Sequence, residues 1–322
     1  MNEPTLHDIY DARPRVYRHL KRTPLLAYPL VESEIGAHVF VKHENHNPTG
    51  AFKIRGGLNL VSTLGASDRS GGVATASTGN HGQSLAMACA LQHVPCTVYV
   101  PVGNNPEKNA AMRAFGAAVI EHGKDFDEAR TRCEQDARNR GYRYVHPANE
   151  PLLIAGVGTY ALEIFEELPR VDAVFVPIGG GSGASGLVTV RTALGSSARI
   201  IGVQAERADA FTRSWRTGHR VVGERADTLA EGVATRVTFD MTYDILKREL
   251  DDIVTLSEDE LAEGVRFALR ATHNLAEGAG AASLMAAYAR RRDLAGKTVV
   301  CVMSGGNIDT ALLARILGQH RA

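Results

Sequence analysis

Seven short runs of β-branched and apolar residues recur along this chain, and their spacing constrains its fold more than any other feature. They are Val39-Phe40-Val41, Gly72-Val73-Ala74-Thr75, Cys96-Thr97-Val98-Tyr99-Val100, Ala118-Val119-Ile120, Ala173-Val174-Phe175-Val176-Pro177, Ile200-Ile201-Gly202-Val203 and Thr298-Val299-Val300-Cys301-Val302. Helical spacing of apolar residues fills the stretches near 55–64, 82–92, 106–115, 126–140, 153–167, 184–194, 258–273 and 280–291. Strands separated by helices of this length predict parallel βαβ units, so the fold class is α/β. In such sheets ligands bind beyond the carboxyl ends of the strands, where loops lead into helix N-termini. Three glycine-bearing segments occupy those places, following the runs at 72–75, 173–178 and 298–303.

A fourth segment, Asn47-Pro48-Thr49-Gly50-Ala51-Phe52-Lys53-Ile54-Arg55-Gly56-Gly57, sets one lysine on a turn between an aromatic ring and a glycine pair. Most lysines are solvated charges, but a desolvated lysine has a lowered pKa and becomes a usable nucleophile and base. Gly179-Gly180-Gly181-Ser182-Gly183 lies between an apolar run and a helical pattern. Glycines let successive N–H groups point at one anion, the helix N-terminus adds favourable partial charge, and Ser182 adds a hydroxyl. By itself this loop is equally a tight turn or a nucleotide loop, although no Walker lysine follows it and no GxGxxG follows the runs at 72–75 or 173–178. Ser77-Thr78-Gly79-Asn80-His81-Gly82 reads alone as a helix start capped by Thr78 or Asn80, and Ser304-Gly305-Gly306-Asn307 as another cap. His81 either steadies its loop through a backbone contact or serves as an acid/base.

Lys plus Arg balances Asp plus Glu at 36 each, so no basic field exists to attract nucleic acid or anionic lipid. With 44% hydrophobic residues in 322, one or two domains are expected. The four cysteines show no CxxC spacing, the start Met1-Asn2-Glu3-Pro4 lacks signal-peptide character, and no apolar run reaches the ~20 residues of a membrane span. A cytoplasmic protein without a membrane partner is the expectation. His43 and His46 stand three apart with no HExxH, and are read as ordinary polar positions.

Taken together, in this order and across nearly the whole chain, the four segments resemble the fold-type II pyridoxal-phosphate enzymes, specifically the threonine/serine dehydratase and serine racemase family. The resemblance implies a tryptophan synthase β-like architecture of two domains with parallel-rich twisted sheets flanked by helices. A larger cofactor-binding domain would comprise 1–71 and 150–322, and a smaller mobile one 72–149, with hinges at Gly71-Gly72 and near Pro147. Catalysis would occur in the cleft between them, in a homodimer.

By the same resemblance Lys53 is the lysine that forms a Schiff base with pyridoxal 5'-phosphate and later takes the Cα proton. Phe52 packs beside it, Gly179, Gly180, Gly181, Ser182 and Gly183 hold the phosphate, and Asn80 bonds the phenolic oxygen. Glu277 lies near the cofactor, and Ser304 faces the pyridine nitrogen. Ser182 stands where many relatives have glycine. Ser77, Thr78, Gly79, Asn80 and His81 form the loop that holds the substrate carboxylate. A neutral hydroxyl opposite the pyridine nitrogen makes the ring a poorer electron sink, which tilts the chemistry towards loss of a β-substituent and away from transamination.

The implied activity is that of an L-threonine/L-serine ammonia-lyase, which takes a small amino acid and yields a 2-oxo acid and ammonia. Two alternatives stay open: a serine-type racemase, and a dehydratase of another β-hydroxy amino acid such as hydroxyaspartate or phenylserine. Thr78 bears on the first, because it stands where serine racemases carry a serine and many dehydratases an alanine. Glu206 and the Ala210 carbonyl match part of a cation site of some relatives, divalent or monovalent. Thr212 occupies the place of a second carboxylate there, and a divalent ion prefers several charged oxygens. Only 15 residues follow Asn307, so a C-terminal regulatory domain is not expected and a catabolic role is more natural.

Overall fold

A computed structural model describes residues 2–319. The strands are β1 (Leu25–Ala27), β2 (His38–His43), β3 (Val73–Ala76), β4 (Cys96–Val100), β5 (Ala118–Glu121), β6 (Arg143–Tyr144), β7 (Ala173–Pro177), β8 (Arg199–Ala205), β9 (Asp252–Leu256) and β10 (Thr298–Met303). The helices of the first half are α1 (Leu6–Tyr17), α2 (Pro29–Ile35), α3 (Lys53–Ser62), α4 (Ala66–Gly71), α5 (Asn80–Leu91), α6 (Pro106–Ala114) and α7 (Phe126–Arg140). Those of the second half are α8 (Pro151–Glu167), α9 (Ser182–Ala193), α10 (Ala210–Thr217), α11 (Asp240–Glu249), α12 (Glu258–Thr272), α13 (Gly278–Ala289) and α14 (Thr310–Gly318).

Two sheets result. One has the order β1-β2-β10-β7-β8-β9, parallel throughout except for the antiparallel β1–β2 pair. The other has the order β5-β4-β3-β6 and is wholly parallel. The α/β, parallel-rich class expected from the spacing is the class observed. Central strands such as β7 and β3 are buried almost end to end, as strands covered by helices on both faces must be. Helix α8 is buried from Leu153 to Phe165 and packs between α3 and α9. That packing is tight enough to demand glycine: a methyl placed on Gly156 would lie 2.5 Å from the Arg55 carbonyl oxygen.

The eight helical patterns and seven strand runs each correspond to an element, with ends shifted by a few residues. Three strands escaped the reading. β1 and β6 are three and two residues long, too short for a period-2 pattern to register, and β9 opens on an acidic pair at 251–252. α10 and α11 arise from a polar stretch whose few apolar residues, Phe211, Met241, Ile245 and Leu246, find partners only in the folded core.

Beneath the Lys53 segment lies a buried charge network. Arg55 donates to Glu44 (Nε–Oε2 2.7 Å, Nη2–Oε1 2.9 Å) and to Glu163 (Nη1–Oε1 2.6 Å, Nη2–Oε2 3.0 Å). Lys42 also donates to Glu163, and to the Thr23 carbonyl at 2.7 Å. Burial alone would raise the Glu163 carboxyl, but the two cations hold it below the usual carboxylate range. Two cations and two anions thus neutralise one another inside the protein and tie β2, α3 and α8 together. All four cysteines are buried and none is disulfide-bonded. Among the described residues no helix is long and apolar enough to cross a membrane.

Candidate active site around Lys53

The segment between β2 and α3 is held by its own polar side chains. Asn47 donates from Nδ2 to the Glu44 carbonyl and to its Oε2, both at 2.9 Å, and Gly50 N–H closes a turn on the Asn47 carbonyl at 2.7 Å. The loop after β10 then clamps it. Phe52 N–H donates to the Ser304 carbonyl (3.0 Å), Gly306 N–H to the Gly50 carbonyl (2.8 Å) and Asn307 Nδ2 to the Thr49 carbonyl (2.8 Å). Lys53 follows as the first residue of α3, not on the turn before it as the sequence suggested.

From there Lys53 Nζ donates to Ser182 Oγ at 2.9 Å and to the Pro147 carbonyl at 3.1 Å. Its amine lies 5.2 Å from the centre of the Phe52 ring. No carboxylate pairs with it among the described residues, and burial pulls its pKa down to about 8. Its unprotonated form is therefore reached at lower pH than for an ordinary lysine, and such an amine can hold an aldehyde.

Facing it is the loop from β7 into α9. Gly181 has φ of 90°, which glycine adopts without strain, and a methyl there would lie 2.9 Å from Thr242 Cβ. No side chain caps α9, so its leading N–H groups are left for another acceptor. The Ser185 hydroxyl in its first turn is buried without a hydrogen-bond partner. Phe52 seals one side, its ring 3.3 Å from where a Gly183 side chain would begin. Uncapped N–H groups, a hydroxyl and a lysine make this a place for a phosphate-like anion.

The Ser77–His81 loop runs into α5, whose first residues are Asn80 and His81, and neither Thr78 nor Asn80 caps that helix. Ser77 does so from further back, its Oγ accepting from Gly79 N–H (3.2 Å) and Gly82 N–H (2.9 Å). Asn80 is freed for tertiary contacts: its Nδ2 donates to Glu277 Oε1 and its Oδ1 accepts from Asn307 Nδ2, each at 2.7 Å. Glu277 sits at the N-cap position of α13 without capping it. Burial raises its pKa, opposed by the charge of Lys108 and the Asn80 hydrogen bond.

His81 Nε2 lies 3.0 Å from Thr75 Oγ1, whose own proton goes to the Val145 carbonyl at 2.8 Å. Thr75 must therefore accept, which assigns the proton of the ring to Nε2 and leaves Nδ1 as an unpartnered lone pair. Burial first, then the charges of Lys53 and His146, keep this imidazole neutral well below its usual pKa. Thr78 is half-buried and its carbonyl accepts from Asn104 Nδ2 at 3.2 Å.

Lys53, Phe52, Ser182 and Gly183 thus meet directly, Ser304 is bound to the lysine loop through its carbonyl, and Asn80 meets Glu277. Sequence reasoning missed the Pro147 carbonyl against the lysine, because a backbone group carries no residue signature, and the amide of Asn307. It also missed Ser84, which ties α5 to α3 by donating to the Lys53 carbonyl at 2.6 Å. Glu206 and Ala210 make no hydrogen bond with any of these groups. Glu206 is exposed, the Ala210 carbonyl accepts from Ser214 Oγ at 2.6 Å, and Thr212 Oγ1 is spent on Gln204 at 2.8 Å. Among the described residues no group of three His, Cys, Asp or Glu is arranged to hold a metal ion.

Residues 16–305 match the family described as pyridoxal-phosphate dependent enzyme. The chain belongs to that family. This pyridoxal-phosphate-dependent enzyme is 38% identical over 316 residues to an L-threonine ammonia-lyase of Thermotoga maritima, covering 98% of this chain and 78% of the relative. It is 33% identical over 316 residues to a serine racemase of Schizosaccharomyces pombe, covering 98% of each. The structure of the processed form of threonine deaminase isoform 2 from Solanum lycopersicum superposes with a TM-score of 0.91 at 29% identity, over 98% of this chain and 95% of that one.

Proposed function

We propose that this enzyme is an L-threonine/L-serine ammonia-lyase that eliminates water from a β-hydroxy amino acid to give a 2-oxo acid and ammonia. The observation that carries the reading is Lys53: half-buried, without a counter-carboxylate among the described residues, and hydrogen-bonded through its amine to the glycine loop's Ser182. Those groups fit pyridoxal phosphate, with Lys53 for its aldehyde, the 179–183 loop and the α9 N-terminus for its phosphate, Asn80 for its phenolic oxygen and Ser304 for its ring nitrogen. Bound there, the cofactor would supply a conjugated ring that acidifies the Cα–H of an attached amino acid. Lys53 has two tasks, holding the cofactor and moving the Cα proton, and both need the unprotonated amine that burial favours. The Ser77–His81 loop orients the substrate by its carboxylate, and neutral His81 adds no charge of its own. The Ser304 hydroxyl leaves the ring nitrogen uncharged, which favours departure of the β-hydroxyl over a long-lived carbanion.

Racemisation is the second reading, and Thr78 motivates it. Thr78 is half-buried and its hydroxyl has no hydrogen-bond partner among the described residues, so that hydroxyl is available as the second acid/base that racemisation requires on the substrate face opposite the lysine. Within the same proposal, residues 72–149 move as a smaller domain against 1–71 and 150–322, the enzyme works as a cytoplasmic homodimer, and hydroxyaspartate or phenylserine are further substrates to try. A cation at Glu206 and Ala210 is left out of it, because one exposed carboxylate offers too few charged oxygens.

The test is 2-oxo acid and ammonia release by the cofactor-loaded enzyme from a panel of β-hydroxy amino acids, with chiral analysis of the remainder. 2-Oxobutyrate from L-threonine supports the lyase. D-enantiomer with little oxo acid moves the assignment to a racemase, and inertness towards the whole panel refutes both.

A further inference from the structure

A second lysine reaches the same loops. Lys108, in the first turn of α6, is 9% exposed, and its side chain runs along the Ser77–His81 loop. A methyl group placed on Gly79 would lie 3.2 Å from Lys108 Cδ and 3.9 Å from Nζ. The ammonium donates to Glu231 Oε2 on the short turn Glu231–Val233, which backs the glycine loop, since a methyl on Gly179 would lie 2.2 Å from the Gly232 carbonyl oxygen. Lys108 thus stands where the small sheet's loop, the large sheet's loop and Glu277 converge, and its charge is among those that temper the burial of Glu277.

The pairing is lopsided. An ammonium has three N–H donors, and among the described residues Lys108 gives one to a protein group, Glu231. The Lys108 side chain is 10% exposed, whereas that of Glu231 is 49% exposed and can satisfy itself with water. A nearly buried cation whose single protein partner is a solvent-exposed carboxylate gains from an incoming anion. The helix start that carries Lys108 is also braced, which fixes where its backbone lies. Asn105 caps α6 through Glu107 N–H (2.8 Å) and Lys108 N–H (3.1 Å) and bonds Asp309, and Asn104 joins the Thr78 carbonyl to Asn109.

We propose that Lys108 is a substrate-recognition residue whose ammonium binds the α-carboxylate of the amino acid beside Gly79, releasing Glu231 to solvent. This rests on the reading that the Ser77–His81 loop faces that carboxylate, but not on which bond is later broken. Glu231 is then a competitor for the same cation, so the two residues affect affinity in opposite directions. A purely structural brace would make them act alike.

The experiment is a titration of the holoenzyme with L-alanine, which keeps the α-carboxylate and has no β-leaving group, followed by cofactor absorbance and paired with steady-state kinetics on L-threonine. Lys108→Met is expected to weaken L-alanine about 10- to 100-fold, the loss of one charged hydrogen bond, and to raise the KM for L-threonine alike with kcat changed less than about threefold. Lys108→Arg, which keeps the charge and guards against a folding defect, is expected to restore most of the affinity. Glu231→Gln is expected to tighten L-alanine about two- to fivefold. Equal weakening by Lys108→Met and Glu231→Gln, or less than twofold change in both, overturns the proposal. If the wild type binds L-alanine, and Lys108→Met weakens it, while no β-hydroxy amino acid is dehydrated, the lyase reading falls and this inference stands.

Discussion

Lys53→Met should make the cofactor-free protein more stable while abolishing its activity. Burial brings the lysine from its ordinary 10.5 to about 8. At about 1.4 kcal/mol per pH unit, holding the ammonium in the folded protein at neutral pH costs up to about 3 kcal/mol. That is an upper figure, because the residue keeps some exposure and two hydrogen bonds. Methionine has similar length and no charge, so it removes the cost and leaves Ser182 and the Pro147 carbonyl to water. Below pH 8 the amine is protonated in both folded and unfolded states, and the whole penalty applies. Between pH 8 and 10.5 the folded protein gives up the proton that the unfolded chain keeps, so wild-type stability rises with pH and the advantage of the variant shrinks. Urea unfolding of both cofactor-free proteins at pH 7 and pH 10 measures this directly. A gain of about 1–3 kcal/mol at pH 7 that largely disappears by pH 10 is expected. A variant less stable than wild type at pH 7, or a difference that does not change with pH, refutes the claim that Lys53 is held desolvated.

Gly181→Ala should raise the Kd for pyridoxal phosphate at least tenfold, measured by absorbance titration, since φ of 90° and the 2.9 Å approach to Thr242 both oppose a side chain in the anion loop. Arg55→Met should destabilise the fold by about 3–5 kcal/mol in urea unfolding by leaving Glu44 and Glu163 short of a buried cation, and Glu163→Gln should partly compensate it in the double variant. Glu277→Ala removes the acceptor of the Asn80 amide and should weaken cofactor binding about 5- to 20-fold without an equal loss of stability, a split that calorimetry and thermal unfolding together resolve.

How much of this could be read beforehand depended on range. The segments around Lys53, Gly179–Gly183 and Ser304 stood out because glycine-rich turns after apolar strands are local patterns, but the roles of these residues came from family resemblance. Glu277 was placed only through family resemblance, since a carboxylate one residue before a helix looks like any N-terminal acid. Its burial against Asn80, 197 positions away, is invisible along the chain. Thr78 and Asn80 looked like caps because their residue types cap, but it is Ser77 that accepts from the Gly82 N–H in the first turn, and from the Gly79 N–H before it. Glu206 was matched to a cation site only through family resemblance, and its exposure, the Ser214 bond to the Ala210 carbonyl and the Thr212 bond to Gln204 are features that appear only in the fold.

The amino-acid order alone therefore determined the alternation of strands and helices and the α/β class, which follow from periodicity and local backbone preference, whereas the phosphate role of the 179–183 loop came from family resemblance. Tertiary structure alone decided the electrostatic state of the side chains. Lys53 is a weak base because the groups around it desolvate it and no carboxylate among the described residues pairs with it, Arg55 is tolerated in the core because the turn after β2 and helix α8 each bring it an acid, and Lys108 lies beside Gly79 because α6 packs against α5. Desolvation and charge pairing depend on distance in space, and residues far apart in the chain acquire that distance only when the sheets have formed.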